Sequence, residues 1–349
     1  MKDTLEPTKN SEDHHCGQPK EYIITQTLSE HLDAFANIGL KTPDSKLVQD
    51  IEDGIASSIG KMLNSNGHPV TITTIPIREQ YHEITTAVNR IKKTLHNPVV
   101  VSTCPLLSFG GDGKLLHLSR LIDIHGNIIA IGPRPYHDLP EQQVADFANE
   151  ICDRDVILVE DGAFTGSTVL YTLNLLKSKR ARVKAIVFGI MFPDAEKKIR
   201  EVFKGEIVYC KKPENPLDWM PSHDFLPFIP NAGRVVGHRL GNVVMPVYTN
   251  NNAALAVPYI KPYGKSDEWA SLPNDQHALN SFCVQCLHSA EAIFLNMEEK
   301  HGGEIFISDI IGSNPVTYIP VTCGGSQYGF SRGGDRVASI ISLDREVFA

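Results

Sequence analysis

The chain has 349 residues, 42% of them hydrophobic and 21% charged, the proportions of an ordinary globular protein rather than a disordered or membrane-spanning one. That length exceeds what one compact core comfortably holds, so two folding units are expected. A formal net charge of −8 argues against a broad basic face for nucleic acid, and the seven scattered cysteines, an odd number, fit a reducing compartment better than a disulfide framework.

Met1 to Lys20 is polar and aperiodic and reads as a mobile tail. It has no apolar segment of secretory type, and no apolar run in the chain approaches a membrane span, so a cytoplasmic protein is expected. Thr42-Pro43 has the form of a helix start, with Thr42 as N-cap and Pro43 at the first helical position. Behind it Leu47, Ile51, Ile55, Ile59 and Met62 recur at helical spacing. Tyr81, Ile84, Val88, Ile91 and Leu95 form a second such face, so residues 21–96 read as a helical N-terminal arm.

The character changes at Asn97-Pro98. Val99-Val100-Val101 reads as a buried strand, followed by the glycine-bearing loop Ser108-Phe109-Gly110-Gly111-Asp112-Gly113. Arg120 to Ile131 alternates around His125-Gly126-Asn127, which predicts a hairpin. Val144, Phe147, Ala148 and Ile151 mark a helix. The apolar runs Val156–Val159 and Val183–Ile190, with Glu206–Tyr209 after them, then read as strands. One helix between them carries Val169, Leu173 and Leu176 inward, and the other Ala195, Ile199, Val202 and Phe203. Strand and helix in such regular succession imply a parallel sheet. After Gly241 the pattern loosens, except for one long amphipathic helix from Leu279 to Met297. The expected architecture is α/β: a parallel sheet with helices on both faces over residues 97–245, flanked by the helical arm and by an α+β segment over 246–349.

The chemistry concentrates at one turn. Glu160-Asp161 ends a buried strand, where open α/β sheets bind ligands. Thr165-Gly166-Ser167-Thr168 then opens a helix, whose first N–H groups are unpaired and whose dipole favours an anion. Gly166 allows close backbone approach, and three hydroxyls add donors. Such a loop suits a phosphate, and the carboxylate pair beside it suits sugar hydroxyls or a hydrated Mg²⁺. An ordinary strand-to-helix turn would account for Gly166 and a capping Thr, but not for two adjacent acids after a wholly apolar strand.

The stretch VILVEDGAFTGST resembles the signature of type I phosphoribosyltransferases. The resemblance implies that Ala163, Phe164, Thr165, Gly166, Ser167 and Thr168 hold the 5′-phosphate of phosphoribosyl pyrophosphate (PRPP). It further implies that Glu160 and Asp161 contact the ribose hydroxyls and carry Mg²⁺ with the substrate. A second stretch, Asp224 to Pro230 and then Val235-Val236-Gly237, is similar to the base-binding hood of hypoxanthine-guanine phosphoribosyltransferases. Here the chain departs from that pattern. Phe164 replaces the acid near purine N7, Arg234 the stacking aromatic and Gly241 a carboxylate, so salvage of those purines is not expected. Ser108, Gly110 and Gly111 occupy the place of the family's pyrophosphate loop. Arg134, between two prolines, is a candidate for the basic group on pyrophosphate, and Arg234 and Val235 for the acceptor side; an exposed turn arginine would account for either Arg equally well.

Asp218-Trp219 and His223-Asp224 are further candidates for the border of the acceptor pocket. Cys283-Val284-Gln285-Cys286 has metal-ligand spacing but falls on an apolar helix face without a second pair, so core packing is expected. His14-His15-Cys16 lacks further ligands nearby. Three functional readings stay open: transfer of the phosphoribosyl group to a nitrogen acceptor, a non-catalytic sensor of PRPP or a nucleotide that controls a protein partner, and an enzyme that breaks down a nucleotide or nucleoside at the same ribose site. A homodimer is the default assembly for each.

Overall fold

The computed structural model describes residues 19–65, 69–110, 113–249, 252–310, 316–317 and 335–348. His14, His15, Cys16, Gly111 and most of the expected Met1–Lys20 tail lie outside the described residues.

In chain order the first elements are β1 (Lys20–Gln26), α1 (Leu28–Leu32), α2 (Ser45–Asn64), β2 (Val70–Pro76) and α3 (Ile77–Lys92). Next come β3 (Val99–Ser102), β4 (Gly113–Leu115), β5 (Leu118–Ile122), β6 (Ile128–Pro133), α4 (Pro140–Asp146) and α5 (Ala148–Ile151). The regular segment is β7 (Asp155–Ala163), α6 (Ser167–Ser178), β8 (Arg182–Met191), α7 (Pro193–Val202) and β9 (Glu206–Lys211). It is followed by β10 (Pro216–Pro221), β11 (Arg234–Leu240), β12 (Val243–Pro246) and β13 (Leu255–Val257). The chain closes with α8 (Ser266–Trp269), α9 (Gln276–His301), α10 (Ile307–Ile310), β14 (Val316–Thr317) and α11 (Val337–Phe348).

Five strands form the expected parallel sheet, in the order β4-β3-β7-β8-β9. Its centre is apolar because it is covered on both faces. Val156 and Leu158 face one core and Ile157 and Val159 the other. Helix α6 buries Val169 and Leu176 against this sheet, and α7 buries Ala195 and Ile199. Val202, expected on that inner face, is instead 67% exposed; it is the last residue of α7, and the backbone becomes extended at the buried Phe203. The expected hairpin is β5–β6, antiparallel around the turn at Asp123–Asn127.

The N-terminal arm is not purely helical. Helices α2 and α3 are present with the expected faces, but β1 and β2 pair in parallel with each other, and β1 also with β10. Strand β1 is short and buried on both faces: Tyr22 and Ile24 join one core and Ile23 the other. Four buried residues are too few for a period to be read, and the partner β10 lies far away in the chain. Helix α2 also begins later than Thr42-Pro43 suggests. Its N-cap is Asp44, whose carboxylate is turned away to the Nδ2 of Asn296 and the Nζ of Lys300 on α9, both at 3.0 Å. Helix α9 lies in the same core as α2, β1 and α11, and both Cys283 and Cys286 are buried there as packing residues. Among the described residues no helix is long and apolar enough to cross a membrane.

Candidate functional site

Strand β7 does not stop at Val159. It stays paired with β8 as far as Ala163 opposite Met191, so Glu160 and Asp161 are strand residues rather than part of the turn. The turn itself is Phe164-Thr165-Gly166. Gly166 is the N-cap of α6 at φ +77°, a left-handed conformation that a side chain disfavours. Thr165 Oγ1 and Ser167 Oγ lie 3.0 Å apart beside the first turn, whose N–H groups have no intrahelical acceptor.

The position of this turn follows from sheet topology. From β3 the chain goes outward to β4 on one side, whereas β7 lies on the other, so β3 and β7 diverge at a switch point. Their carboxyl ends meet at the site. Thr103, just past β3, donates its hydroxyl to Glu160 Oε2 in a very short hydrogen bond and its N–H to the Val159 carbonyl. Burial, and then the charge of Asp161, raise the Glu160 carboxyl well above the usual carboxylate range. Asp161 accepts from the Gly162 N–H at 2.9 Å, and its carbonyl accepts from Gln80 Nε2 on α3 at 2.9 Å. That last contact needs a glycine at 189, where a Cβ would stand 1.8 Å from Gln80 Nε2.

The turn opens on a cleft of about 1010 Å³. Glu160, Asp161, Phe164, Thr165 and Thr168 line one side. Arg134, Arg234 and Val235 line it as well, so the structure brings most of the singled-out residues to one place. Ala163 is buried beneath the turn. Ser108 and Gly110 are not on the cleft; the Ser108 carbonyl is instead held by the Tyr81 hydroxyl at 3.2 Å, and the earlier part of that loop, Thr103 to Leu106, faces the opening. Phe164 is 36% exposed and leans on Phe192, with ring centroids 4.8 Å apart.

The far wall holds polar groups that the sequence reading only partly identified. Arg234 donates through Nε to the Tyr259 hydroxyl at 3.2 Å, and its guanidinium lies 4.4 Å from the ring centroid of Trp269. Arg134 donates to Asn231 Oδ1 at 3.3 Å, while its buried Nε has no partner among the described residues. Thr103, Arg120, His31 and Trp269 were missed. Arg120 could have been noticed, because it interrupts an apolar run that ends in Leu121-Ile122; nothing local marks Trp269.

Asp218, Trp219, His223 and Asp224 do border the cleft. His223 stacks on His31 at 3.7 Å between ring centroids and shares a 2.8 Å hydrogen bond with Thr27 Oγ1. Its Nε2 lies 3.6 Å from Asp224 Oδ1. Burial first, with Arg134 adding to it, pushes His223 down to about 3, so it is neutral. Burial pushes Asp224 up to about 7 although the Gly233 N–H and three arginines oppose it, and burial lifts Asp218 to about 6. A carboxyl raised in the folded state stabilises the protein at acid pH and loses that contribution as the pH climbs through its folded value. For Asp224 the loss spans the interval from 3.8 to about 7. An Asp224→Asn protein should therefore gain stability relative to the parent as the pH rises from about 4 to about 7, read as the difference in denaturation midpoint. A difference that does not change with pH would mean that Asp224 ionises as an ordinary surface acid.

No family profile matches the chain. The ribose-phosphate pyrophosphokinase of Buchnera aphidicola subsp. Acyrthosiphon pisum is 25% identical over 160 residues, which are 45% of this chain and 47% of that protein. The chain thus spans about half the length of that curated relative. Among solved structures, the purine phosphoribosyltransferase of Pyrococcus horikoshii Ot3 is similar at 16% identity, over 41% of this chain and 87% of that one, with a TM-score of 0.28. The orotate phosphoribosyltransferase of Mycobacterium tuberculosis H37Rv, solved in complex with PRPP, is similar at 12% identity, over 47% and 89% of the two chains, with a TM-score of 0.25. What the chain resembles, in the sequence VILVEDGAFTGST that spans the strand end and the turn into α6, is the group of type I phosphoribosyltransferases.

Proposed function

We propose that the protein transfers the phosphoribosyl group of PRPP to a nitrogen nucleophile and releases pyrophosphate. The observation that carries this reading is the arrangement at the switch point. An acidic pair and an anion-ready helix start share one cleft with a second wall rich in arginine. Ribose 5-phosphate fits the first wall, its phosphate on the N–H groups of Ser167 to Val169 and its hydroxyls toward Asp161. The ribose-phosphate named in the similar pyrophosphokinase supports the same ligand class.

Bond breaking at C1′ builds positive charge on the ribose, as in glycoside cleavage, and Asp161 would stabilise that charge from close by. Arg134, with a buried and unpartnered Nε, suits an oxygen of the departing pyrophosphate. Among the described residues no cluster of three or more His, Cys, Asp or Glu could hold a metal unaided. The Asp161 carboxylate fits Mg²⁺ that arrives on the substrate's own oxygens, while Glu160 is buried and held by the Thr103 hydroxyl. When bound, Mg²⁺ supplies charge neutralisation to the leaving group.

The test is incubation with PRPP, Mg²⁺ and a panel of nitrogen bases while pyrophosphate release is followed. Hypoxanthine and guanine should not be used efficiently. Phe164 cannot exchange a proton with a ring nitrogen, a contribution of roughly 10²–10⁴-fold from a positioned acid or base. Efficient formation of inosine or guanosine monophosphate would reject this part of the reading. The alternative, a sensor that binds PRPP and does not turn it over, is favoured by Phe164 and by the large segments that flank the parallel sheet. It would show as ribose 5-phosphate binding without pyrophosphate release from any acceptor.

A further inference from the structure

The wall opposite the phosphate turn contains a charge arrangement that neither ribose nor the 5′-phosphate explains. Strands β5 and β11 run parallel, with Leu121 beside Val235 and Ile122 beside Val236. The same register carried one step back along both strands puts Arg120 beside Arg234. They share the strand face of Ile122 and Val236, which belong to the same core as Tyr259 and Trp269. Leu121 and Val235 point to the other face, into a small separate core. Two like charges directly abreast on a sheet repel each other, the more so where water is thinned out. No carboxylate among the described residues lies within ion-pairing distance of either arginine.

Of the acids that share the cleft with them, Asp218, Asp224, Asp267 and Glu268 all stand beyond that distance, and three of these have partners elsewhere. Asp218 and Asp224 are already engaged, by the N–H of Trp219 at 2.8 Å and that of Gly233 at 2.8 Å. Glu268 is paired with Lys265 at 3.2 Å. Trp269 meanwhile fixes Arg234 by its face. Stacking occupies the flat side of a guanidinium and leaves its edge N–H groups to point elsewhere, and Arg234 and Arg120 both line the cleft. Trp269 is itself held close to the β5–β6 turn, where a Cβ on Gly126 would stand 3.1 Å from its ring.

We infer that Arg120 and Arg234 form an anion subsite on the acceptor side of the cleft, so that the acceptor carries a carboxylate or phosphate group. This rests on the proposed transfer reaction for the word acceptor, but the subsite itself does not depend on it. An anion received between the two forks removes their mutual repulsion and accepts from both. A neutral base leaves that repulsion in place. The subsite thus acts as a specificity filter, and Trp269 is the residue that positions Arg234 within it.

The test uses the fluorescence of Trp269 in a Trp219→Phe protein, which keeps a single indole because the chain has two tryptophans. Benzoate and phenyl phosphate are the anionic probes and benzamide the neutral one. At least one anionic probe should quench or shift the emission saturably, at an affinity about tenfold or more above that of benzamide. The stronger of the two identifies the anion as carboxylate or phosphate. Arg120→Gln should lower that affinity about tenfold or more, and Arg234→Gln likewise. Because Arg234→Gln also loses its stacking, the Arg120 variant serves as the independent arm. Ribose 5-phosphate affinity, measured by calorimetry, should change little in either. Equal binding of benzamide, or anion binding indifferent to Arg120, overturns the subsite. Loss of ribose 5-phosphate binding in the parent protein would overturn the transferase reading instead and leave the fluorescence result standing.

Discussion

A Gly166→Val protein should lose ribose 5-phosphate affinity by about a hundredfold or more, while its circular dichroism stays that of a folded protein. Three physical effects converge at this residue. Its φ of +77° is a conformation that β-branched side chains avoid. A Cβ there would lie 3.3 Å from Ile199 Cγ1 and 3.5 Å from the Ala195 carbonyl, so the added methyls have no free direction inward. Relief comes from rotating the turn, which takes the first N–H groups of α6 out of convergence. Two or three hydrogen bonds to a charged phosphate are then lost, each worth roughly 1.5–3 kcal/mol. Gly166→Ala carries the conformational strain with less bulk and should fall between parent and Val. Calorimetric titration with ribose 5-phosphate decides the matter. A folded Val variant with parental affinity would show that the phosphate does not sit at this turn.

The second large effect is expected at Asp161. Replacing it with Asn keeps an oxygen for the Gly162 N–H at 2.9 Å and leaves the backbone contact from Gln80 untouched, so the fold should be retained. What disappears is the negative charge beside the ribose. Removing one preorganised group that stabilises a developing charge costs roughly 10²–10³ in turnover. The expected outcome is a fall of about that size in kcat for PRPP, with a denaturation midpoint close to the parent's. Normal turnover in the Asn variant would remove Asp161 from the mechanism. A matching collapse in stability would show it to be a structural residue.

The parts legible in the sequence share one property: their signals are local. The apolar run Val156–Val159 had to be a strand buried on both faces, and α9 showed its buried stripe from Leu279 to Met297. The motif from Glu160 to Thr168 carried both its acids and its helix start within one turn of chain. Only its strand end lies later than expected, at Ala163 rather than at the acidic pair. Pairing with β8 as far as Met191 extends β7 through the acidic pair, and that pairing belongs to the partner strand as much as to β7. Strand β1 escaped notice for the same reason, since its partner β10 lies far away in the chain.

By itself the sequence determined the parallel sheet, the glycine turn into α6 and the acids beside it, because burial period, glycine conformation and helix-end chemistry act over a few adjacent residues. Only the tertiary structure decided what faces that turn. Arg120 and Arg234 become neighbours through a strand register, and Trp269 reaches Arg234 from a different part of the chain. Asp218 and Asp224 acquire their raised values through burial under elements that the local sequence does not reveal. Register and burial are set by the packing of distant segments, so the arginine-bearing wall of the cleft is a property of the assembled fold.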